Sequence, residues 1–380
     1  MKFVIAPDSF KGSFTAKEIG EFIERGLKKI FPKADYIMVP MADGGEGTVQ
    51  ALVDATRGKF ISQRVVGPLG KRVKATYGML GNSKTAVIEM SSASGLQFVN
   101  EKTRDPLVTT TYGTGQLIIS ALDHGAKKII MGMGGSATND GGAGMAQALG
   151  VKLLGQEHQN LSFGGDQLHK LQTIDLSNLD PRIKDVPILI ASDVSNPLIG
   201  PTGASSVFGP QKGATSEMVK ILDQNLKHYA NVIKQTTGKS LSYLPGAGSA
   251  GGLGGGLLAF TKSVMKKGID ITVQYTHLKE KSQGANFVFT GEGGIDFQTK
   301  YGKTPYGVAL ATKKVAPQAP VIVLAGNIGK DVEELYSKGA IDAIFSTPSG
   351  AKSLKQAMAD SEPDMILTAE NIGRLIKSIK

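Results

Sequence analysis

The sequence predicts an α/β protein of two domains, one of them assembled from both ends of the chain. Three observations support this prediction. Short, continuous apolar runs alternate with amphipathic segments at both ends of the chain, the middle opens with an antiparallel pair, and 380 residues suffice for about two domains. Continuous apolar runs are typical of parallel strands that helices cover on both faces. We therefore expect a parallel-sheet domain from residues 1–60 and 285–380, with residues 61–284 inserted as a second α/β domain.

The first 60 residues have a β-α-β-α pattern. The apolar run 3–6 predicts a strand, and Thr15 with Glu18 has the spacing of a capping box that begins a helix. Apolar residues then recur on one face of a 3.6-residue period until Pro32, namely Ile19, Phe22, Ile23, Leu27 and Ile30. A strand at 36–39 and a helix at 49–57 complete this part.

The C-terminal third repeats the alternation, while the middle differs. Predicted C-terminal strands lie at 286–289, 321–324 and 341–345, with helices at 305–315, 332–338 and about 365–379. In the middle, segments 64–66 and 73–77 flank a Gly-Pro-Leu-Gly turn and predict an antiparallel pair. Further predicted elements there are helices near 116–122 and 217–235 and strands at 128–133 and 187–191.

Composition excludes several classes of protein. There is no Cys, which rules out disulfides, thiolate catalysis and thiolate metal ligation, and fits a cytoplasmic protein. No apolar run approaches the roughly 20 residues that span a bilayer, so we expect no membrane partner. The net charge of +10 comes from dispersed basic residues, without a run of five and without Trp, so we expect small anions rather than nucleic acid.

Glycine is abundant, with 49 residues, and most of the excess lies in five polar clusters next to predicted strands or helices. A tight strand-to-helix turn explains any single cluster. Five clusters that mix Gly with Asp, Glu, Lys and Ser favour phosphate or carboxylate binding, because backbone N–H groups at helix starts bind anions. The clusters are 7–13, 42–48, 132–142, 245–252 and 290–296.

Standard catalytic signatures are absent or incomplete. The Gly-Lys pairs at 302–303 and 238–239 lack the upstream glycine of a P-loop. Residues 246–251 match a dinucleotide fingerprint, with Asp270 about twenty residues on, but no apolar strand precedes them. No metalloprotease or hydrolase motif occurs, and His124 precedes Gly125 at a predicted helix end rather than in a catalytic pattern. Carboxylates, lysine, hydroxyls and anion-binding backbone remain, which are the groups of phosphoryl transfer.

The chain also resembles the bacterial glycerate kinases, which have a flavodoxin-like domain and an inserted second domain. The resemblance implies ATP-dependent phosphorylation of D-glycerate with Mg²⁺, in a cleft between the domains. It favours 2-phosphoglycerate over 3-phosphoglycerate as the product. The matching motifs span nearly the whole chain in order: APDSFKGS (6–13), PMADGGEGT (40–48), GMGGSATNDGGAGM (132–145), SDVSNPL (192–198), FGPQKGA (208–214), PGAGSAGGLG (245–254), TGEGGIDFQT (290–299) and GKTPYGVA (302–309).

Candidate catalytic residues follow predicted strands. Asp193 or Asp296 is the expected base for the substrate hydroxyl, and Lys11 is expected to neutralise phosphate charge. The alternatives are an Asx turn for Asp193 and a solvated turn lysine for Lys11. Expected Mg²⁺ ligands are Asp43, Glu46, Asp193 and Glu292, although Glu46 could instead be a first-turn partner of a helix dipole.

The expected substrate and phosphate contacts come from the same clusters. Lys212, which could meet the substrate carboxylate, has a surface lysine as its alternative, and Asp140 lies among the loop candidates. The set is Asp8, Ser9, Ser13, Gly44, Gly45, Gly134, Gly135, Ser136, Thr138, Asn139, Lys212, Gly248, Ser249, Gly251, Gly291 and Gly293.

Two other functions stay open at this point. The fingerprint at 246–251 leaves a nicotinamide-dependent hydroxy-acid dehydrogenase, and the anion-binding loops leave a non-catalytic binding protein. The sequence fixes neither the oligomeric state, for which a homo-oligomer is one option, nor the domain that holds the nucleotide.

Overall fold

The computed structural model describes residues 1–379, which form two compact units. Unit 1 consists of Met1–Arg57 and the segment that begins at Lys267, and unit 2 is Gly58–Lys266. The second boundary differs from the expected one at 284/285. It lies earlier because Ile269, Val273 and Leu278 are buried in a core of unit 1.

The strands are β1 (Lys2–Ile5), β2 (Asp35–Met38), β3 (Lys59–Val66), β4 (Arg72–Met79), β5 (Thr85–Glu89), β6 (Lys128–Gly132), β7 (Lys152–Leu154), β8 (Thr173–Asp175), β9 (Pro187–Ala191), β10 (Lys262–Lys266), β11 (Phe287–Ile295), β12 (Val321–Ile328) and β13 (Ala343–Ser346).

The helices are α1 (Ala16–Lys28), α2 (Thr48–Thr56), α3 (Ser91–Ser94), α4 (Tyr112–Asp123), α5 (Ala143–Ala148), α6 (Ala204–Phe208), α7 (Ser216–Thr237), α8 (Ser249–Phe260), α9 (Gly268–Tyr275), α10 (Leu278–Ser282), α11 (Thr304–Lys313), α12 (Leu354–Ala359) and α13 (Ser361–Ser378). Segments of 3₁₀ helix lie at Leu96–Phe98, Gln156–His158, Gly165–Lys170, Pro181–Lys184, Pro210–Lys212, Phe297–Tyr301 and Val332–Gly339.

Unit 1 contains a five-stranded, fully parallel sheet in the order β13-β12-β11-β1-β2. Numbered by their order within the unit, the strands run 2-1-3-4-5 across the sheet, which is the flavodoxin-like order. The sheet therefore confirms the predicted fold class, and its strands come from both ends of the chain. Functional sites in such sheets lie beyond the carboxyl ends of the strands.

Helices cover both faces of this sheet. Phe3 and Ile5 pack with residues of α1 and α13, whereas Val4 packs with residues of α9 and α11. All three side chains are fully buried, as expected for a central strand with a period of two. The predicted capping box begins α1: the Glu18 N–H donates to Thr15 Oγ1, and the Thr15 N–H donates to the Glu18 carboxylate.

Unit 2 contains a six-stranded mixed sheet in the order β10-β9-β6-β5-β4-β3. The neighbours from β10 to β5 are parallel, and β4 pairs antiparallel with both β5 and β3. The predicted antiparallel pair is confirmed, and each strand is longer than expected. A short antiparallel pair, β7 with β8, lies apart from this sheet.

Several elements differ from the sequence-based expectations. β11 continues to Ile295 instead of ending near 289, because its later residues still pair with β12. The helix expected at 332–338 is a 3₁₀ segment that follows Asp331 in the left-handed region, at φ 52°. β5, β10 and α8 are additional elements. In β10, exposed and half-buried residues alternate along an edge of the sheet, and its sequence is Lys-Ser-Val-Met-Lys, so no continuous apolar run marks it.

The start of α8 has an unusual backbone. Ala250, Gly251 and Gly252 are consecutive and all have positive φ, at 51°, 68° and 87°. The N–H of Gly141 donates to the Gly251 carbonyl, which ties this turn to the loop after β6. The dinucleotide fingerprint at 246–251 therefore lies in a turn without a preceding strand, and it lacks the context of a cofactor-binding βα unit.

Candidate functional site

Unit 1 contains a cavity of about 830 Å³ beyond the carboxyl end of its sheet. Its polar lining comes from the loops after β1 and before α2, from β11, and from the segment before α11. The charged residues that line it are Asp8, Lys11, Glu18, Asp43, Glu46, Glu292 and Lys303.

Asp8 is the most constrained carboxylate of this cavity and is only 8% exposed. Its Oδ1 accepts the Ser9 N–H at 2.6 Å, and its Oδ2 accepts the Thr304 hydroxyl at 2.5 Å. Burial, together with the nearby negative charge of Asp43, raises the pKa of Asp8 to about 7. A carboxyl with this pKa can take up and release a proton near neutral pH.

Glu292 is a second buried carboxylate in the same cavity. Its Oε1 accepts hydrogen bonds from Lys303 Nζ at 3.2 Å and from Thr299 Oγ1 at 3.4 Å. Burial raises the pKa of Glu292 to about 7, although the positive charge of Lys303 acts in the opposite direction. Perturbed carboxylates that share one cavity are typical of catalytic sites.

The charged groups at the rim of the cavity are more exposed. Lys11 Nζ lies 3.1 Å from Glu46 Oε2, and the two side chains are 81% and 70% exposed. Such an exposed pair contributes little to stability, so both groups are available to a ligand. Asp43 is half-buried and accepts the Gly45 N–H at 3.0 Å, which shapes the turn before α2.

The structure brings many of the predicted unit 1 residues to the cavity. Those that line it are Asp8, Ser9, Lys11, Ser13, Asp43, Gly45, Glu46, Glu292 and Gly293. Gly44 and Gly291 do not belong to its lining. The Gly291 carbonyl accepts the Asp8 N–H at 2.8 Å, and a Cβ on Gly291 would collide with the Leu324 carbonyl, so packing explains this glycine.

Asp296, an expected base, lies outside the cavity lining. Its Oδ1 accepts the Gln298 N–H at 2.8 Å and caps the 3₁₀ segment Phe297–Tyr301. This local structural role accounts for an aspartate at the position. The sequence interpretation overlooked Lys303 and Thr304, which approach Glu292 and Asp8 from a distant part of the chain. The one available signal was their place in the GKTPYGVA motif.

Unit 2 contains a separate buried polar cluster beneath the loop after β6. Lys212 is 2% exposed, and its Nζ donates to the Thr138 carbonyl at 2.6 Å and to Ser136 Oγ at 3.2 Å. Burial lowers the pKa of Lys212 to about 7, while the negative charge of Asp140 acts in the opposite direction. The surface-lysine alternative for Lys212 is therefore wrong.

Asp140 holds this loop in place. Its carboxylate accepts hydrogen bonds from the N–H and hydroxyl of Thr111, both at 2.8 Å, and from the N–H groups of Gly142 and Gly144. Burial raises the pKa of Asp140, and these hydrogen bonds oppose that shift. The two glycine N–H groups belong to the start of α5, so Asp140 fixes how that helix begins.

Other predicted residues of unit 2 surround the cluster. Asn139 Nδ2 donates to Ser205 Oγ at 2.9 Å, whereas Asn139 Oδ1 and Ser249 Oγ are buried without a hydrogen-bond partner among residues 1–379. Orphaned buried acceptors of this kind commonly bind water or ligand. Gly134 and Gly135 are exposed.

Gly248 and Asp193 lie near the carboxyl end of β9. The Gly248 N–H donates to the Asn196 carbonyl at 3.0 Å, and Asp193 is exposed two residues beyond the strand. Gly251 packs against Thr138 and Asn139, where a Cβ would lie 2.8 Å from Asn139 Cα.

His124 has a structural contact at the end of α4. Its Nδ1 lies 3.1 Å from the Tyr77 hydroxyl, which agrees with a structural role.

No group of three or more His, Asp or Glu residues is arranged to hold a metal ion within residues 1–379. Mg²⁺ commonly binds through one or two carboxylates together with substrate phosphates and water. Asp43 and Glu292 supply hard oxygen donors of this kind at one cavity, so the donor chemistry fits Mg²⁺. In the same part of the chain, no helix has the length and apolar character needed to cross a bilayer.

A parallel sheet with a charged cavity beyond its carboxyl edge is typical of an α/β enzyme. A sequence model of the glycerate kinase family matches residues 3–377, so the chain belongs to this family. It is 52% identical over 380 residues to "Glycerate kinase" of Bacillus subtilis (strain 168), covering 100% of this chain and 99% of the relative. It is 50% identical over 372 residues to "Glycerate 2-kinase" of Escherichia coli (strain K12), covering 98% and 97%.

A solved structure agrees with these sequence comparisons. The crystal structure of a protein from Salmonella typhimurium LT2, provisionally named glycerate kinase 2, matches with a TM-score of 0.90 and 46% identity. The match covers 100% of this chain and 98% of that one. The protein is therefore an enzyme of the kinase class, with a small-molecule substrate and a nucleotide, and family membership disfavours both alternatives left open by the sequence.

Proposed function

We propose that the protein transfers the γ-phosphoryl group of ATP to D-glycerate, giving phosphoglycerate and ADP. The observation that carries this proposal is the pair of buried carboxyls, Asp8 and Glu292, each with a pKa of about 7, in a cavity that also presents Lys11 and Lys303. The family supports the substrate, and the name of the Escherichia coli relative, "Glycerate 2-kinase", supports 2-phosphoglycerate as the product.

Asp8 is the base in this proposal. The substrate hydroxyl oxygen forms a bond to the γ-phosphorus, the bond from that phosphorus to the β–γ bridging oxygen breaks, and the hydroxyl proton passes to Asp8. The Ser9 N–H and the Thr304 hydroxyl each hold one Asp8 oxygen, which fixes the direction of the remaining lone pairs. A pKa of about 7 suits this role because the base is then ionised for much of the time at neutral pH.

Lys303 and Lys11 neutralise negative charge on the transferring group. Asp43 and Glu292, with Glu46 at the rim, would hold Mg²⁺, which supplies charge neutralisation of the phosphates when bound. Lys303 also compensates the negative charge of the buried Glu292 carboxylate, because Lys303 Nζ lies 3.2 Å from Glu292 Oε1. The expected roles of Ser136, Thr138, Asn139, Lys212 and Ser249 in binding substrate stay predictions, as does the cytoplasmic location.

This assignment of the base differs from the sequence-based one, which favoured Asp193 or Asp296. Asp296 caps a 3₁₀ segment, and Asn caps about as well as Asp, so we expect Asp296→Asn to keep most of the kcat. Loss of a positioned general base lowers the rate by about 10²–10⁴-fold, so Asp8→Asn should lose at least about 100-fold. Asp35→Asn, at an exposed position on β2, is the matched control.

The test is ADP release by wild-type protein with D-glycerate and Mg-ATP, with the phosphorylated position identified by ³¹P–¹H NMR. Turnover with glycerate and not with water is the expected result, with phosphorus on the 2-oxygen. Absence of turnover with wild type would contradict the proposed reaction. If the wild-type protein phosphorylates D-glycerate but Asp8→Asn retains full kcat, the assignment of Asp8 as the base is wrong. The kcat values of Asp193→Asn and Asp296→Asn then decide between those two candidates.

A further inference from the structure

The cavity of unit 1 has a second, apolar part that the phosphoryl chemistry does not use. Besides the charged residues described above, its lining includes Phe10, Phe14, Leu354, Ala357 and Met358. The last three come from α12, a short helix near the carboxyl end of the chain. An apolar wall beside a charged one indicates a ligand that itself has an apolar part and an anionic part.

Leu354 is the most exposed apolar side chain of this wall. It is the first residue of α12 and is 78% exposed, while it lines the cavity. The cap of α12 does not depend on the leucine, since Ser353 Oγ accepts the Gln356 N–H. A polar side chain would therefore serve the helix as well, and a ligand that covers the leucine would gain the free energy of burying it.

The apolar wall is held against the loop that carries Lys11. The Ser13 hydroxyl donates to the Met358 carbonyl at 3.3 Å and lies 3.2 Å from Ser361 Oγ. Gly12, with φ 77°, lies so close to Met358 that a Cβ would be 3.2 Å from its Cε. These contacts place α12 as a fixed side of the cavity.

Phe10 connects the apolar and charged parts. It is 5% exposed, and a Cβ on Gly293 would lie 3.6 Å from Phe10 Cα. A Cβ on Gly326 would lie 3.5 Å from Phe10 Cε2. Since Gly293 follows Glu292 directly, the apolar wall continues into the charged part without an intervening element.

We infer that the apolar part of this cavity, formed by Phe14, Leu354 and Met358, binds the base of the nucleotide, with the phosphates directed toward Asp43 and Lys303. The inference rests on the proposed function and assigns the nucleotide to unit 1. Glycerate has a carboxylate and two hydroxyls and no apolar face to cover Leu354. A purine base has flat apolar faces, and a cavity of about 830 Å³ is within the roughly 300–1,000 Å³ usual for ligands of nucleotide size.

The test separates recognition of the base from recognition of the phosphates. Dissociation constants for ATP and for inorganic tripolyphosphate, both with Mg²⁺, are measured by titration calorimetry on the wild-type chain and on Leu354→Asn. Bound ATP would lose the favourable burial of the leucine side chain, so we expect the Kd for ATP to rise about tenfold or more in Leu354→Asn. The Kd for tripolyphosphate should stay within about twofold, because Leu354 contacts the base alone.

Two further variants control the result. Leu375→Asn alters another exposed helical leucine, on α13 and outside the cavity lining, and should leave both constants unchanged. Met358→Gln keeps the length of the side chain and, like Leu354→Asn, should raise the Kd for ATP. The thermal midpoint of each variant shows whether it is folded.

Unchanged ATP affinity in both cavity variants would overturn the inference, and so would an equal loss of affinity for ATP and tripolyphosphate. The proposed reaction is judged separately by wild-type turnover. Selective weakening of ATP without turnover of D-glycerate would preserve the base subsite and contradict the reaction. Turnover of D-glycerate by the wild-type protein, with unchanged ATP affinity in both cavity variants, would support the proposed reaction and contradict the base subsite.

Discussion

The Thr304 hydroxyl donates a 2.5 Å hydrogen bond to Asp8 Oδ2, although 296 positions separate the two residues in the chain. Asp8 follows β1 and Thr304 begins α11, so the contact joins the two chain segments that make up unit 1. Both residues are buried. The carboxylate at the centre of the proposed reaction is therefore oriented by a residue that only the folded sheet brings near.

Asp8→Asn should raise the stability of the protein more at pH 8 than at pH 5. The folded pKa of Asp8 is raised from 3.8 to about 7, so the folded state binds the extra proton between these values and wild-type stability falls as pH rises through that window. Above pH 7 wild type must hold a buried carboxylate, which asparagine avoids. Urea unfolding at both pH values measures the difference. A gain of equal size at the two pH values would show that the ionisation of Asp8 is not its cause.

Glu292→Gln and Lys303→Met should both move the acidic limb of the activity profile to lower pH. If an ionised Asp8 is required, kcat/KM rises with pH through about 7. The negative charge of Glu292 raises the pKa of Asp8, so Glu292→Gln should move the limb to lower pH. Lys303 lowers the pKa of Glu292, so Lys303→Met should keep Glu292 protonated, and therefore uncharged, to higher pH. An uncharged Glu292 no longer raises the pKa of Asp8, so the limb should again move to lower pH.

The measurement for this pair is kcat/KM from pH 5 to 9 for wild type and both variants, read from residual activity where turnover is slow. Since Asp8 and Glu292 interact, the midpoints belong to the pair rather than to either residue. A limb that moves in opposite directions in the two variants, or that moves in neither, would contradict the electrostatic coupling.

Lys212→Met should remove a dependence of stability on pH above neutrality. Burial lowers the folded pKa of Lys212 from 10.5 to about 7, so the unfolded state binds more protons between these values and wild-type stability rises with pH there. The variant lacks this rise, and it leaves Ser136 Oγ and the Thr138 carbonyl without the amine donor. Denaturant unfolding at pH 7 and pH 9.5 tests the claim, with Lys220→Met on the exposed side of α7 as the control. An equal slope in wild type and Lys212→Met would refute it.

Ala250→Gly should stabilise the protein, whereas Gly251→Ala should destabilise it. A non-glycine residue in the left-handed region costs about 1 kcal/mol or more, and Ala250 has φ 51°. Gly251 has φ 68°, and a Cβ there would collide with the Thr138 carbonyl, so alanine should cost roughly 2 kcal/mol or more. Thermal midpoints measure both changes. Destabilisation by Ala250→Gly would mean that the alanine side chain contributes more than its strained backbone costs.

Local signals predicted the framework of unit 1. Thr15 and Glu18 announce α1 through a capping box, and the apolar runs at 3–6 and 321–324 correspond to central strands because nothing but apolar side chains fits between two helical layers. The same signals failed for β10, since an edge strand exposes alternate residues to water and can carry two lysines.

The candidate site was predicted in part. Glycine-rich clusters that are recognisable in the sequence contain Asp8, Asp43 and Glu292, and all three residues line the cavity. The contacts of Asp8 with Thr304 and of Glu292 with Lys303 depend on tertiary packing and have no local pattern. The burial of Lys212 could not be predicted from the sequence either, because lysine is rarely buried and the groups around Lys212 are polar atoms of a loop distant in the chain.

The division of unit 1 between the two chain ends has a consequence for synthesis on the ribosome. Unit 2 is continuous and can fold as soon as it emerges, but three of the five strands of the unit 1 sheet, β11 to β13, are made last. Until then β1 has no partner on the side where β11 will lie, and that open edge can pair with other chains. A chain that terminates soon after unit 2 therefore keeps an unpaired strand edge that proteases and chaperones can recognise. The cell should accordingly accumulate little incomplete enzyme.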